Sequence, residues 1–192
     1  MRHPSLTRTG VVLTGVALLL VLAGCGGRGA DLPRLPQSSG AYRLAPGDQL
    51  RVITAGDDML SGDFRVADNG RVALPLLGPI QAATLTPRGF QDEVAARLRD
   101  AGLYRDPSVS VEVTSYRPVY VLGEVNRPGQ YPYQAGMTVV SAVAAAGGFS
   151  YRAVTDYAGV VRTDEGSALE GRATRRDFVQ PGDVITIYER RF

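Results

Sequence analysis

The residues able to do chemistry are few. The 192-residue chain has one cysteine, Cys25, one histidine, His3, and no lysine. A lone thiol can attack an electrophile or carry a covalent group, but it cannot close an intramolecular disulfide. No second Cys or nearby His gives it a metal-binding spacing. Cleaving a glycosidic bond needs two carboxylates at a fixed separation, and Asp57, Asp58, Asp63 and Glu93 are the acids on offer in the first half of the chain. Adjacent Asp57 and Asp58 point different ways in an extended loop, which fits a solvated turn better than a catalytic pair. Gly24–Gly29, "GCGGRG", spells G-x-G-x-x-G. No strand precedes it and no helix follows to aim backbone N–H groups at a pyrophosphate, so the match is one of letters only. The Asp68-Asn69-Gly70 stretch lacks the alternating oxygen ligands and terminal Glu of a calcium loop. Tyr116, Tyr120, Tyr131, Tyr133, Tyr151 and Tyr157 could stack on sugar rings, but such tyrosines more often hold core or interface positions with a wet hydroxyl. No catalytic residue, metal or cofactor is expected.

The leader removes more of this inventory. "MRHPSLTRTG" carries Arg2 and Arg8 and no acid, and a 13-residue apolar run follows. That run is shorter than the roughly 20 helical residues needed to cross a bilayer core of about 30 Å, and its order is that of a secretory signal. His3 would leave with it, taking the only imidazole available for a triad or a pH switch. Without Arg2 and Arg8 the 21 basic residues become 19, equal to the 19 acids. A neutral chain gives no reason to expect a nucleic-acid partner.

The rest of the chain reads as ordered elements. With 44% hydrophobic and 21% charged residues it has globular composition. Residues 25–41, rich in Gly, Pro and Ser, read as a flexible tether with too few apolar groups to order themselves. "DQLRVIT" reads as a strand after the Pro46-Gly47-Asp48 turn. Asn69-Gly70 predicts a hairpin with a type I′ turn. "TPRGFQDEVAARLRDAG" reads as a helix capped by Thr86, opened by Pro87 and ended at Gly102, with Phe90, Val94, Leu98 and Ala101 on one stripe. "DPSVSVEV" alternates as a half-buried strand. Further on, "PVYVLGEV" is a strand, Pro128-Gly129 a type II pair, and "TVVSAVAAAGGF" a short helix capped by Thr138 and stopped by Gly147-Gly148. "FVQPGDVITIYERRF" repeats the Pro-Gly-Asp turn and strand. The polar stretch 162–177 is read as a loop.

Two resemblances give these elements a meaning. Leu22–Cys25, "LAGC", resembles the lipobox of bacterial lipoproteins, which implies a lipid on Cys25 and cleavage ahead of it; Gly26 rather than Asp after the cysteine points to the outer membrane. "YRLAPGDQLRVITAG", "DNGRVALPLLGPI", "LTPRGFQDEVAARLRD" and "YRDPSVSVEV" together resemble the polysaccharide-export domain of Wza-like outer-membrane export lipoproteins. "VYVLGEVNRPGQYPYQAGMTVVSAVAAAGGFS" is similar to their soluble-ligand-binding β-grasp (SLBB) domain. The expectation is an α+β protein with a signal peptide at 1–24, a tether at 25–41, an export domain at 42–115 and a β-grasp-like domain at 116–192. Pro46, Gly47 and Asp48, then Asp68, Asn69 and Gly70, then Gly123, Pro128 and Gly129, and finally Gly147 and Gly148 match the family's motif turns. The family implies a homo-oligomeric ring or collar on the periplasmic face of the outer membrane, polysaccharide passing through it, and an inner-membrane chain-length regulator with kinase activity as partner. The longest members add further SLBB repeats and a C-terminal membrane helix, whereas this sequence runs out at "IYERRF", which suggests a collar beneath a separate β-barrel. The competing expectation is an adapter that binds a glycan or small ligand without a conduit of its own.

Overall fold

The computed structural model describes residues 29–37, 40–164 and 166–190, and the expectations for the leader and Cys25 lie outside them. The fold is α+β, and the described residues form two helices and ten strands grouped around two apolar cores.

The first core is closed by a three-stranded antiparallel sheet in the order β2-β1-β5, built from β1 (Gln49–Thr54), β2 (Asp57–Arg65) and β5 (Val109–Ser115). In β1, Leu50, Val52 and Thr54 point inward while Gln49, Arg51 and Ile53 face out, the alternation a half-buried strand requires. Helix α1 (Pro87–Asp100) lays Phe90, Val94 and Leu98 against this sheet, each contributing roughly 1.5–3 kcal/mol by leaving water. Thr86 Oγ1 accepts the Gly89 N–H at the helix start. At the end, Gly102 (φ 70°) and Leu103 donate back to Arg99 O and Leu98 O. Ala101, expected on the buried stripe, is the exposed C-cap residue instead.

The hairpin read across Asn69-Gly70 does not form as a ladder. A type I′ turn needs positive φ at both central residues, and here Gly70 has it (φ 75°) while Asn69 does not. Asp68 and Asn69 make a tight turn in which Asn69 Oδ1 accepts the Arg71 N–H. The chain then changes direction, so that β3 (Arg71–Leu74) pairs with β4 (Gly78–Gln81) rather than with β2.

The second core lies under a five-stranded mixed sheet, ordered β7-β6-β10-β8-β9. Its strands are β6 (Val119–Gly123), β7 (Gly129–Tyr131), β8 (Tyr157–Asp164), β9 (Ser167–Thr174) and β10 (Val184–Ile187). Helix α2 (Val139–Ala145) buries Val139, Ala142 and Val143 beneath it. A reciprocal cap joins Thr138 and Ser141 at its start. Gly147 (φ 82°) and Gly148 (φ 91°) end it, donating to Ala144 O and Val143 O. Central β10 runs parallel to β6 and antiparallel to β8.

Three readings are corrected here. The stretch 162–177 is no loop: it supplies the end of β8 and the whole of β9, a hairpin register the polar outer residues conceal because one side of β9 faces solvent. Pro128-Gly129 is not a type II turn, since Gly129 lacks positive φ and opens β7; Gly123 holds the left-handed conformation (φ 82°), packed on Ile187 O with no room for a Cβ. The described part of the tether is docked rather than free. Leu35 is buried in the second core, its N–H donates to Arg172 O (2.9 Å), and the Arg172 N–H donates to Pro33 O (2.7 Å). A buried leucine, two edge hydrogen bonds and side-chain donors from Arg162 to Pro36 O and Arg172 to Ala30 O hold a segment whose composition alone looks too polar.

Candidate functional site

Two stretches spell Pro-Gly-Asp, residues 46–48 and 181–183, and each leads into a central strand, β1 or β10. Their local geometry is shared. Gly47 (φ 100°) and Gly182 (φ 89°) take the left-handed conformation. The aspartate then turns back on the residue three before it: the Ala45 N–H donates to Asp48 Oδ2 (2.9 Å) and the Gln180 N–H to Asp183 Oδ2 (2.7 Å). Both carboxylates are buried, at 0% and 1% exposure, so each needs further donors.

They find them differently. Asp183 is gripped in two places by Arg162, Nε to Oδ1 at 3.0 Å and Nη2 to Oδ2 at 2.7 Å, and Arg162 is itself buried. The same guanidinium donates to Pro36 O (3.2 Å), tying the docked N-terminal segment to the pair. Asp48 instead accepts the Tyr42 hydroxyl (2.6 Å) and the Arg117 backbone N–H (3.2 Å), with Arg117 Nε at 3.7 Å. Burial, followed by the hydrogen bond to Asp48, raises the Tyr42 phenol well above its ordinary value, because ionising it would set two anions side by side.

Arg117 stands where the two turns meet. Its stem lies against Gly47 and its guanidinium against Gly182, where a Cβ would come within 3.1 Å of Nη1. The Gly182 N–H donates to Pro118 O (3.0 Å), so the crossover between the two cores is stitched to both turns. Edge-to-face rings continue the joint, Tyr42 on Tyr116 at 5.0 Å and Tyr116 on Tyr133 at 5.4 Å between centroids. Beside them opens a cleft of ≈ 1050 Å³ lined by Tyr42, Arg43, Arg117, Tyr133, Phe178 and Gln180, among others. Phe178 is 61% exposed, and Arg43 spends one guanidinium nitrogen on Thr84 O (2.6 Å).

Of the motif residues read from sequence, Pro46, Gly47 and Asp48 belong to this joint. Asp68, Asn69 and Gly70 sit at the turn ahead of β3 and do not line the cleft. The remaining turns meet each other: the Asn126 and Arg127 N–H groups donate to Gly148 O (3.0 Å) and Ala146 O (2.9 Å), joining the Gly123–Gly129 segment to the Gly147-Gly148 helix stop. Tyr42, Arg117, Arg162 and Asp183 were not singled out in the sequence. The repeated Pro-Gly-Asp was the available signal for Asp183; nothing local marks its arginine.

The acids considered for bond cleavage are spread among structural tasks. Asp57 opens β2, accepting the Tyr104 hydroxyl (2.6 Å) and the Met59 and Leu60 N–H groups, and the tyrosine hydrogen bond holds its carboxyl below the ordinary value. Asp63 is held low by Arg51 at 2.8 Å, and Glu93 pairs with Arg97 on α1 at 3.0 Å. A general acid needs its pKa raised toward the working pH, and the shifts of Asp57 and Asp63 run the other way. Among the described residues no helix is long and apolar enough to cross a membrane, which leaves strands unaddressed.

Comparison with known proteins assigns the two cores. Residues 36–114 match the polysaccharide biosynthesis/export protein family and residues 118–172 the SLBB domain. The exopolysaccharide production protein ExoF of Rhizobium meliloti (strain 1021) is 38% identical over 146 residues, covering 70% of this chain and 33% of that protein. The EPS I polysaccharide export outer membrane protein EpsA of Ralstonia nicotianae is 30% identical over 148 residues, covering 63% of this chain and 38% of the relative. Its namesake in Ralstonia solanacearum is 29% identical over 147 residues. The chain thus spans about a third of these relatives' lengths, 33% to 38%. An export domain and an SLBB domain in this order place the chain in the polysaccharide export protein family of the Wza-like type.

Proposed function

We propose that this protein is a lipid-anchored component of an exopolysaccharide or capsular polysaccharide export complex, held at the periplasmic face of the outer membrane and working by lining or collaring a passage rather than by breaking bonds. The observation that carries this reading is the tandem of export and SLBB domains in this chain, beside its similarity to relatives named for exopolysaccharide production and export. The joint supports it: two buried, fully engaged aspartates and an arginine between them hold two small cores in one relation, as a stacked assembly needs. Ring formation would join one surface of a copy to a different surface of the next, with an inner-membrane chain-length regulator and a separate outer-membrane β-barrel as partners.

A lipid on Cys25 fits the docked segment that follows it. Gly29 lies flat on the Tyr188 ring, and Arg172, 5.9 Å above the Tyr157 ring, donates to Ala30 O (2.9 Å). Four peptide steps at most ~14 Å long separate Cys25 from Gly29, so the anchor would keep the second core close to the membrane. The second reading, an adapter that binds a glycan or small ligand, is favoured by the cleft beside the joint.

Deleting the gene tests the proposal. Surface polysaccharide should disappear while synthesis of its repeat units continues, and labelling with a lipid precursor should mark the wild-type chain but not Cys25→Ser. Unchanged surface polysaccharide would overturn the export role; equal labelling of both chains would overturn the anchor alone.

A further inference from the structure

We propose that the outward face of the five-stranded sheet, centred on Tyr120 and Leu122 of β6, rests on the surface of the phospholipid bilayer that holds the lipid of Cys25. This rests on the lipid-anchor reading and extends it to a second contact with the membrane, made by the folded protein itself.

The two sheets turn different chemistry outward. On the first, Arg51 faces out between Asp63 and Glu112, bonded to Asp63, with Gln49, Arg65, Ile53 and Ser110 around them. Charge on that side is what a solvated antiparallel sheet calls for. On the second, the register sets Tyr120, Val184 and Val161 in one cross-strand row and Leu122 beside Thr186 in the next. Their neighbours along the strands, Val119, Val121, Ile185 and Val160, are buried in the core, so these five point the other way. None of the five is charged, and Tyr120 and Leu122 are 40% and 43% exposed. Charge returns at the edge strand β9, where Glu170 and Arg172 end the two rows. A lone exposed leucine means little, but a neutral, mostly apolar group at the positions where the other sheet carries ions marks a face that is covered in use.

The N-terminal segment identifies the cover. The row of Leu122 and Thr186 continues through Gly159 to Arg172, and at Gly159 the Tyr188 ring takes the place of a side chain, leaving no room for a Cβ. Gly29 lies against that same ring, and Arg172 holds the next residue by its bond to Ala30 O (2.9 Å). The first described residues of the chain are therefore seated on this face. From Gly159 to Leu122 is two strand spacings, about 10 Å, and the four peptide steps from Gly29 back to Cys25 span at most ~14 Å. The leash is as short as the patch is wide. Acyl chains on Cys25 would enter the bilayer beside the patch, which brings the lipid surface, rather than a distant partner, to this side of the sheet. Tyr120 suits the place, with an apolar ring for the acyl boundary and a hydroxyl for the headgroups.

The test uses the full chain, exported and processed in cells and then reconstituted into vesicles of phosphatidylethanolamine and phosphatidylglycerol. With the Cys25 sulfur closed as a thioether, a cysteine added by Leu122→Cys, Tyr120→Cys or Ile53→Cys takes a bimane label alone. All three positions are exposed, and thermal melts establish that each variant folds; either probe on β6 suffices. Lipids carrying a doxyl group near the headgroup should quench the labels on β6 at least about threefold more than the label at Ile53 on the charged face of the first sheet. Iodide in the water should reverse that order. Mass spectrometry of the same preparation reads the lipid on Cys25 directly. Lipid on Cys25 with equal doxyl quenching at all three positions would overturn the face contact and keep the anchor. Labels on β6 sheltered from iodide yet beyond reach of the doxyl lipids would give the face to a neighbouring protein, which also overturns the proposal. Cys25 without lipid would remove the anchor reading, and this contact with it.

Discussion

The two Pro-Gly-Asp turns share three letters, a left-handed glycine and a hydrogen bond to the residue three before the aspartate, yet they bury their carboxylates by different means. Asp183 pairs with Arg162, which is itself 7% exposed, in a dry, two-point ion pair. Asp48 is divided among a phenol, two backbone N–H groups and a longer contact with Arg117, whose side chain is 24% exposed at the cleft. The turn motif therefore fixes the local need and leaves the third partner to whatever the neighbouring core supplies. At the second core that partner is a buried cation. At the crossover it is a set of groups that also faces the other core, so this turn can act as a joint.

The difference is open to breaking. Asp183→Ala strands a buried guanidinium and should cost about 3–5 kcal/mol. Asp48→Ala leaves neutral donors and an arginine whose Nε is buried but whose side chain is 24% exposed, and should cost about 1–3 kcal/mol. Urea unfolding of the two variants decides it, and a larger loss for Asp48→Ala would reverse the assignment of the stronger burial.

The next effect is smaller and depends on pH. Tyr42 keeps its proton in the folded chain above the pH at which the unfolded chain loses it, since its folded pKa lies above the ordinary 10.0. Its contribution is complete below pH 10 and declines as pH rises from 10 toward the folded value. Tyr104, Tyr133 and Tyr188 shift in the same direction, so the difference between wild type and Tyr42→Phe isolates this group. Removing a hydrogen bond to a buried carboxylate should cost about 1.5–3 kcal/mol near neutrality, and the gap should narrow in alkali. Stability measured from pH 8 to pH 12 in both proteins would show a constant gap if the hydroxyl had no part in the joint.

Much of the fold was legible because it is written in short-range chemistry. Thr86 with Pro87, the Thr138 cap, and the glycine stops of both helices are signals complete within a few residues. Alternation in β1 and β5 needed no knowledge of a partner strand. Failures came where a turn residue departed from its usual conformation or a distant segment decided the outcome. β3 turned from β2 to β4 because Asn69 does not adopt the conformation its hairpin would need. β9 looked like a loop because its solvent-facing side is polar, while Gly171 and Ala173 face the core and Leu35 seals its edge. The joint was half legible. The Pro-Gly-Asp repeat stands out in the sequence, but Arg117 lies 69 residues from Asp48 and Arg162 lies 21 from Asp183, distances at which no local pattern announces a pair.

The smallest expected effect bears on the central claim, that polysaccharide passes this protein without a bond being broken by it. Asp57 has its oxygens committed to Tyr104, Met59 and Leu60 and a lowered pKa, while Asp58 is exposed. Neither arrangement suits a general acid. The direct measurement is the amount and chain length of surface polysaccharide in a deletion strain complemented with the Asp57→Asn, Asp58→Asn chain at matched protein level. Amount and length equal to those restored by the wild-type chain are predicted; lost export, or a changed chain length, at normal protein level would contradict the account.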